Sequence, residues 1–474
     1  MQKNNGKKII VLGAGITGLS TAWRLSGQGF EVTVLDCSDK TGGLCSSFKY
    51  DGFLLDYGPH KIYTQLPQVL NEIKKLLGEA IYSHRKKSSI YLQDKFFSYP
   101  FKMTELVFGL KPSTAINCIV DYLAHSLKKI CGKKKIRSYE DYVIDKFGRK
   151  LYSLVFEPLA TKIWGEPKST SYKLAQMRIP MPNLVQLMLG LLFGKNKNAS
   201  GIDAKTFYYP KNGIKKLPEK MRDEILRNNG TILLNSNPVS IIWNKNRIDS
   251  IILTEKGIER EERLDCLIST IPINRAVQLF NPKLAEDAVE AARQLKFRGL
   301  VLIYIILNKS RLLKEHWVFF PESRFLFNRL FEQKTFNEDM GPKDKTVICL
   351  DLTYNKGGLI EQMSEKELCQ KAIRQLEEIG LISSQDVLES FAFKKEDIYP
   401  VYDLNYEKNL NALLEMEFCI KNFFFLGRLG LFNYNNMDHC IDMGIKVADF
   451  LAGDGRKEDW REISKEFAKY RIVD

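Results

Sequence analysis

Hydrophobic and polar positions change texture several times along this chain. Residues 9–12 are an unbroken apolar run, the pattern of a short strand buried on both faces. A glycine-containing stretch then leads to a helix over 17–28, and 31–35 return to the strand pattern. Residues 72–77 read as the end of another helix. Ile90-Tyr91-Leu92 and Phe96-Phe97, around Gln93-Asp94-Lys95, predict a hairpin. From Phe101 to about Phe193 the apolar spacing is mostly three and four residues, as in Tyr139, Tyr142 and Val143 and in Leu151, Val155 and Phe156, which predicts a helical insertion. A polar segment at 196–204 reads as a mobile loop. Beyond it come a helix over 214–228 and strands at 231–234, 239–243 and 248–254, and then 267–272, which reads as the chain's return to its first sheet. Residues 301–308, 317–320 and 347–352 are β-branched and aromatic, predicting an antiparallel sheet. A helix over 365–380, an apolar strand at 423–428 and a helix over 437–451 close the pattern, and no internal repeat is present.

The junction after the first strand carries chemistry. Gly13-Ala14-Gly15-Ile16-Thr17-Gly18 is a G-x-G-x-x-G turn between a strand and a helix, where the glycines allow close approach of a pyrophosphate to the helix N-terminus. Asp36, at the end of the second strand, stands at the spacing of an acid that binds ribose hydroxyls and disfavours a 2′-phosphate. FAD is favoured over NAD by Thr41-Gly42-Gly43-Leu44, a doublet that lets the chain cross close to a bound cofactor. Gly52 to His60 then predicts a strand running into a Gly58-Pro59 turn that presents a histidine. Near the C-terminus, Gly427-Arg428 and the stretch to His439 combine a glycine turn with a helix N-terminus, which can stabilise negative charge on a reduced isoalloxazine or a phosphate. The fold expected is α/β: a Rossmann-like FAD-binding domain (1–75 with 205–275 and 420–474), a helical substrate domain (100–200) and an antiparallel-sheet domain (76–99 with 276–419).

Composition narrows the partners. The 474 residues, 44% hydrophobic and 27% charged, suit two or three folded domains. Nine scattered cysteines without a C-x-x-C argue for a reducing cytosol and against a zinc site. The polar residues 1–8 do not read as a secretory signal, and the apolar stretches 116–127 and 183–194 are shorter than the ~20 residues of a membrane span. The expected location is cytoplasmic. The net charge of +14 lacks the interleaved aromatics of a nucleic-acid binder. Peripheral membrane contact stays open, because apolar residues 187–193 run into Lys195 and Lys197.

Further motifs are Gly58-Pro59-His60 with Thr64, Tyr99-Pro100-Phe101, Ile163-Trp164-Gly165-Glu166-Pro167, Arg178 with Pro182-Asn183, Trp317 with Phe320-Pro321-Glu322, Arg329, Tyr399-Pro400, and Gly427-Arg428 with Tyr434 and Asp438. In these the chain resembles the UDP-galactopyranose mutases, within the wider group of amine-oxidase and protoporphyrinogen-oxidase-like FAD-dependent flavoproteins. The resemblance implies an isomerase of cell-surface polysaccharide biosynthesis that interconverts pyranose and furanose forms of a nucleotide-linked sugar. It would work through a reduced-flavin N5–sugar adduct, with NAD(P)H or another donor as reductant. By motif match, Arg178 and Arg329 would clamp the pyrophosphate, Tyr399 and Tyr434 would donate hydrogen bonds to it, His60 would sit beside N5, and Arg428 would lie near flavin and sugar. Phe101, Trp164 and Trp317 would line the nucleotide or sugar pocket, with Lys102, Asn183 and Phe319 as further substrate contacts. Lys102 and Phe319 depart from the family pattern, so the sugar and base stay open. The cofactor contacts expected are Gly13, Gly15, Gly18, Asp36, Gly42, Gly43, Leu44, Gly58, His60, Val239, Gly427, Arg428, Met437 and Asp438.

Two competing readings remain. A flavin oxidase or desaturase of the protoporphyrinogen- or amine-oxidase kind would need a mainly apolar pocket, so Arg178 and Arg329 on one cavity wall would count against it. A non-catalytic protein of the GDP-dissociation-inhibitor type would carry no flavin, against which the intact glycine doublet and ribose acid speak.

Overall fold

The computed structural model describes residues 6–99, 105, 109–128, 135–179, 206–453 and 455–472. Its first layer is a five-stranded parallel sheet in the order Phe423–Phe425, Cys266–Ser269, Lys8–Leu12, Glu31–Leu35, Thr231–Leu233. Strands from four distant parts of the chain therefore meet, as the return of residues 267–272 to the first sheet predicted. That strand stops at Ser269, because Pro272 caps the helix Ile273–Gln278. The helices Ile16–Gly27, Met437–Ala452 and Lys216–Arg227 pack together over this sheet. A four-stranded sheet of Ile258–Arg263, Arg247–Glu255, Ser236–Asn244 and Phe280–Asn281 adjoins it. The pairing of Phe280–Asn281 with Ser236–Asn244 keeps the chain in that sheet beyond residue 275.

The second layer is a seven-stranded sheet in the order Val387–Pro400, Phe297–Leu307, Thr346–Tyr354, Arg329–Glu332, Trp317–Phe319, Ser88–Leu92, Lys95–Ser98. It is antiparallel except where Trp317–Phe319 meets Ser88–Leu92 in parallel. Its longest strand, Val387–Pro400, was not anticipated. It is an edge strand with much of its length solvated, so no apolar alternation marks it.

The helical region packs against the seven-stranded sheet through the helix Glu157–Trp164. Ser138 caps Tyr139–Phe147 in a reciprocal pair with Asp141, and Gly148, at φ +80°, ends the helix. The next helix runs from Arg149 through a π-turn over Tyr152–Phe156 into Glu157–Trp164. Pro158 explains the π-turn. It has no N–H for the carbonyl four residues back and crowds it, and one extra residue in the turn relieves both. Tyr172–Arg178 follows. The expected loop at 196–204, the apolar stretch 183–194 with Lys195 and Lys197, and Pro100, Phe101, Lys102, Pro182 and Asn183 all lie outside the described residues. Among the described residues no helix is long and apolar enough to cross a membrane.

One buried carboxylate joins the layers. Asp56, at the end of strand Phe53–Asp56, accepts hydrogen bonds from Ser47 Oγ (2.6 Å), the Tyr209 hydroxyl and the Ile214 N–H. Its carbonyl accepts from Tyr304 Oη of the seven-stranded sheet (2.7 Å), and its N–H donates to Gln333. Burial pushes its pKa up to about 6, against the pull of these bonds.

Candidate cofactor and substrate site

The cofactor cradle is made of main chain. Gly13 N–H donates to Leu35 O (2.7 Å), and Asp36 Oδ2 accepts from Ala14 N–H (2.6 Å), so the second strand's acid is tied to the glycine turn. At Gly18 a Cβ would stand 1.9 Å from the Gly13 carbonyl oxygen, so only glycine lets the helix seat against the strand. The helix Ile16–Gly27 begins without a side-chain cap and has no acid in its first turn, which leaves its N-terminal N–H groups for an anion. Gly42 N–H donates to Ala14 O (2.8 Å), folding the doublet onto this turn. Gly43, at φ +56°, lies so close that a Cβ would be 3.4 Å from Gly15 Cα. A Cβ on Gly15 would meet nothing within 4 Å, so that glycine faces open space. An anion-ready helix end, an acid at the ribose distance and glycines around a gap fit FAD.

The expected cofactor residues divide between two places. Gly15, Gly42, Gly43, Leu44, His60, Arg428 and Met437 line one cavity of 340 Å³. Asp36 and Val239 stand apart at the other end of the glycine turn. Ser236 N–H bonds Asp36 O, and Val239 follows three residues later, 41% exposed, which suits an adenosine end. Gly13, Gly58 and Gly427 shape turns, and Gly18 seats its helix, instead of lining the cavity. At Gly427 (φ +81°) a Cβ would collide with Thr17 at 2.5 Å. Asp438 is buried on the helix Met437–Ala452, its Oδ1 unpartnered and its pKa raised by burial, with Thr64 supporting the carboxylate. His60 Nδ1 has no hydrogen bond. Burial pushes its pKa down to about 4, with Arg329 and Arg428 acting in the same direction, so the ring is neutral above pH 5.

Side chains build the facing wall. Arg178, Arg329, Arg428, Lys61, Tyr399, Tyr434, Trp317 and Phe319 all line this cavity. The Arg178 guanidinium lies 5.5 Å from the Trp164 ring and 5.4 Å from Tyr434. Arg428 lies 4.9 Å from Tyr399 and 4.6 Å from Tyr434, and the two tyrosines stack with centroids 5.7 Å apart. Arg428 is anchored through Nε to Ile398 O (3.1 Å) and through Nη1 to Asn435 O (2.9 Å). Burial raises the Tyr399 phenol, so it stays a donor.

Three features differ from the sequence reading. Trp164 does not line the cavity. It packs behind Arg178, between Tyr139 and Tyr434, because the helix Glu157–Trp164 turns that face inward. Arg329 is held by a carboxylate that was not singled out, with Nε and Nη2 both on Asp351 Oδ2 at 2.7 and 2.5 Å. Arg329 and Asp351 are direct cross-strand partners. The signal for Asp351 was a single acid inside the otherwise uncharged strand Thr346–Tyr354. Lys61 was also missed, although it directly follows His60; its Nζ stands 4.4 Å from the Trp317 ring. The cavity thus holds four cationic side chains and one buried acid beside the glycine gap, an arrangement able to receive a multiply charged anion next to a flavin.

Residues 11–77 match the NAD(P)-binding Rossmann-like domain family, and residues 129–406 match the flavin containing amine oxidoreductase family. The phytoene desaturase of Fusarium fujikuroi is 45% identical over 75 residues, 16% of this chain and 13% of that protein. The 4,4'-diapophytoene desaturase (4,4'-diaponeurosporene-forming) of Staphylococcus aureus (strain COL) is 33% identical over 98 residues, 20% of this chain and 19% of that protein. The chain therefore matches less than a fifth of the length of these curated relatives. Among solved structures, reduced UDP-galactopyranose mutase superposes with a TM-score of 0.82 at 18% identity, covering 94% of each chain. Putrescine oxidase bound to putrescine superposes at 0.63 and 13% identity, covering 94% of this chain and 99% of that one. At such identities these likenesses establish the fold alone. The glycine cradle that fits FAD lies in the Rossmann-like match, the amine oxidoreductase match spans more than half of the 474 residues, and the chain belongs to the flavin containing amine oxidoreductase family.

Proposed function

We propose that the protein is an FAD-dependent mutase interconverting pyranose and furanose forms of a nucleotide-linked sugar. The observation that carries this reading is the convergence of Arg178, Arg329 and Arg428 on the cavity that also exposes Gly15, Gly43 and His60. An apolar or amine substrate has no use for three guanidiniums, whereas a leaving diphosphate needs them. When bound and reduced, FAD supplies a nucleophile for the sugar's anomeric carbon. Arg178 and Arg329 meet the phosphate oxygens. Asp351 fixes the plane of the Arg329 fork by taking both donors on one oxygen. Tyr399 and Tyr434 offer phenolic hydrogen bonds, and the buried Tyr399 keeps its proton through the neutral pH range. Neutral His60 adds no positive charge where negative charge collects on the flavin side.

The test is direct. FAD-loaded protein, reduced with dithionite, is given a panel of UDP- and dTDP-hexopyranoses, and the products are separated by chromatography. Conversion to the furanose isomer in the reduced state alone is the expected outcome. The short but strong identity with desaturases favours a second reading, a true FAD oxidoreductase. Turnover of a reduced organic substrate by the oxidised flavin, with no isomerisation, would establish that reading instead.

A further inference from the structure

The helix Pro112–Lys128 carries apolar side chains on its outward face as well as on the face that meets the core, which water alone does not favour on a surface helix. Its apolar stripe Ile116, Val120, Leu123 and Leu127, spaced four, three and four residues apart, is 51–66% exposed. The inward face holds the buried Ala115 and Tyr122 and the helix's one acid, Asp121, whose Oδ2 accepts the Lys150 N–H at 2.9 Å. Of the eleven large hydrophobic side chains more than two-fifths exposed among the described residues, four lie on this one helix face.

The sequence on both sides of the stripe is basic. Lys111 precedes the helix and Lys150 packs beside Asp121, both exposed. In sequence, residues 128–137 carry Lys128, Lys129, Lys133, Lys134, Lys135 and Arg137 with no acid. We propose that this helix lies flat on an anionic lipid bilayer, its apolar stripe in the acyl boundary and the exposed Lys111 among the headgroups. At about 25 Å it has the size of an interfacial helix. A second copy of the chain fits less well. The stripe offers on the order of 400 Å², about half of what each partner gives a standard interface, and its basic surroundings would face their own kind. The inference is independent of the reaction assigned to the cavity.

Flotation tests it. The full-length, FAD-loaded protein is mixed with vesicles of phosphatidylcholine and phosphatidylglycerol (7:3) or of phosphatidylcholine alone. Recovery with the anionic vesicles, a loss of at least tenfold in L123S/L127S, and unchanged flavin content and thermal midpoint in that variant are the expected results. A second variant, Val120→Trp, should show a blue-shifted emission on adding anionic vesicles. Three outcomes would overturn the proposal. One is no flotation; another is flotation indifferent to the serine substitutions. The third is a wild-type dimer split by those substitutions without vesicle binding, which would assign the face to a second copy.

Discussion

The two walls of the cavity are built from different material. On the parallel-sheet side Gly15, Gly42, Gly43 and Leu44 bring main chain to the cavity, and Asp36 ties that turn from behind through Ala14 N–H. On the seven-stranded side the contacts are long charged and aromatic side chains on separate elements: Arg178 ends a helix, Arg329 and Asp351 face each other across two strands, and Tyr399 ends a third. A backbone cradle tolerates no added atom where main chain meets main chain, as at Gly18, but carries little charge. A side-chain wall tolerates changes of shape, but each buried charge depends on its partner. Damage to the first should cost the flavin, and damage to the second should cost the ligand while the flavin stays.

The sharpest break is Gly18→Val, whose Cβ would overlap the Gly13 carbonyl. Purified variant should retain less than a tenth of the wild-type flavin, read from the visible absorbance per protein. Next comes Arg329→Ala, which leaves Asp351 buried without its guanidinium. It should cost about 3 kcal/mol in urea unfolding and about 100-fold in nucleotide-sugar affinity with full flavin content. R329A/D351A should recover most of the stability and none of the affinity. If affinity survives Arg329→Ala, the side-chain wall does not hold the ligand.

His60 links both walls. Its folded pKa of about 4 lies below the unfolded value, so its contribution to stability is complete above pH 6.5 and is lost as pH falls through 4. Between pH 7 and pH 5 that amounts to about 2 kcal/mol. The stability of His60→Gln should fall less over this range, by that amount. The smallest effect expected is that of Asp36→Ala, which removes the carboxylate bonded to Ala14 N–H and to Ser38 N–H. FAD binding should weaken about tenfold, or about 1.4 kcal/mol, by titration of the apoprotein.

Legibility in the sequence followed the same division. The strand, glycine turn, helix and acid of the first 36 residues were readable because each follows the last within a few residues, and the bonds that join them close within one strand–helix–strand unit. The buried strands Phe297–Leu307 and Thr346–Tyr354 announced themselves by apolar content, whereas Val387–Pro400, solvated at the sheet edge, did not. Arg178, Arg329 and Arg428 could be named from motifs, but their partners could not. Asp351 acquires its meaning only when two strands align it opposite Arg329, and Trp164 changes from cavity lining to support once its helix is oriented.

By itself the sequence determined a dinucleotide cradle and an α/β chain that returns twice to its first sheet, since backbone conformation and short-range packing are encoded locally. Only the tertiary structure decided which charges share a cavity and which of them are neutralised. Arg178, Arg329, Asp351 and Arg428 come from segments up to 250 residues apart, and electrostatic interaction depends on distance in space.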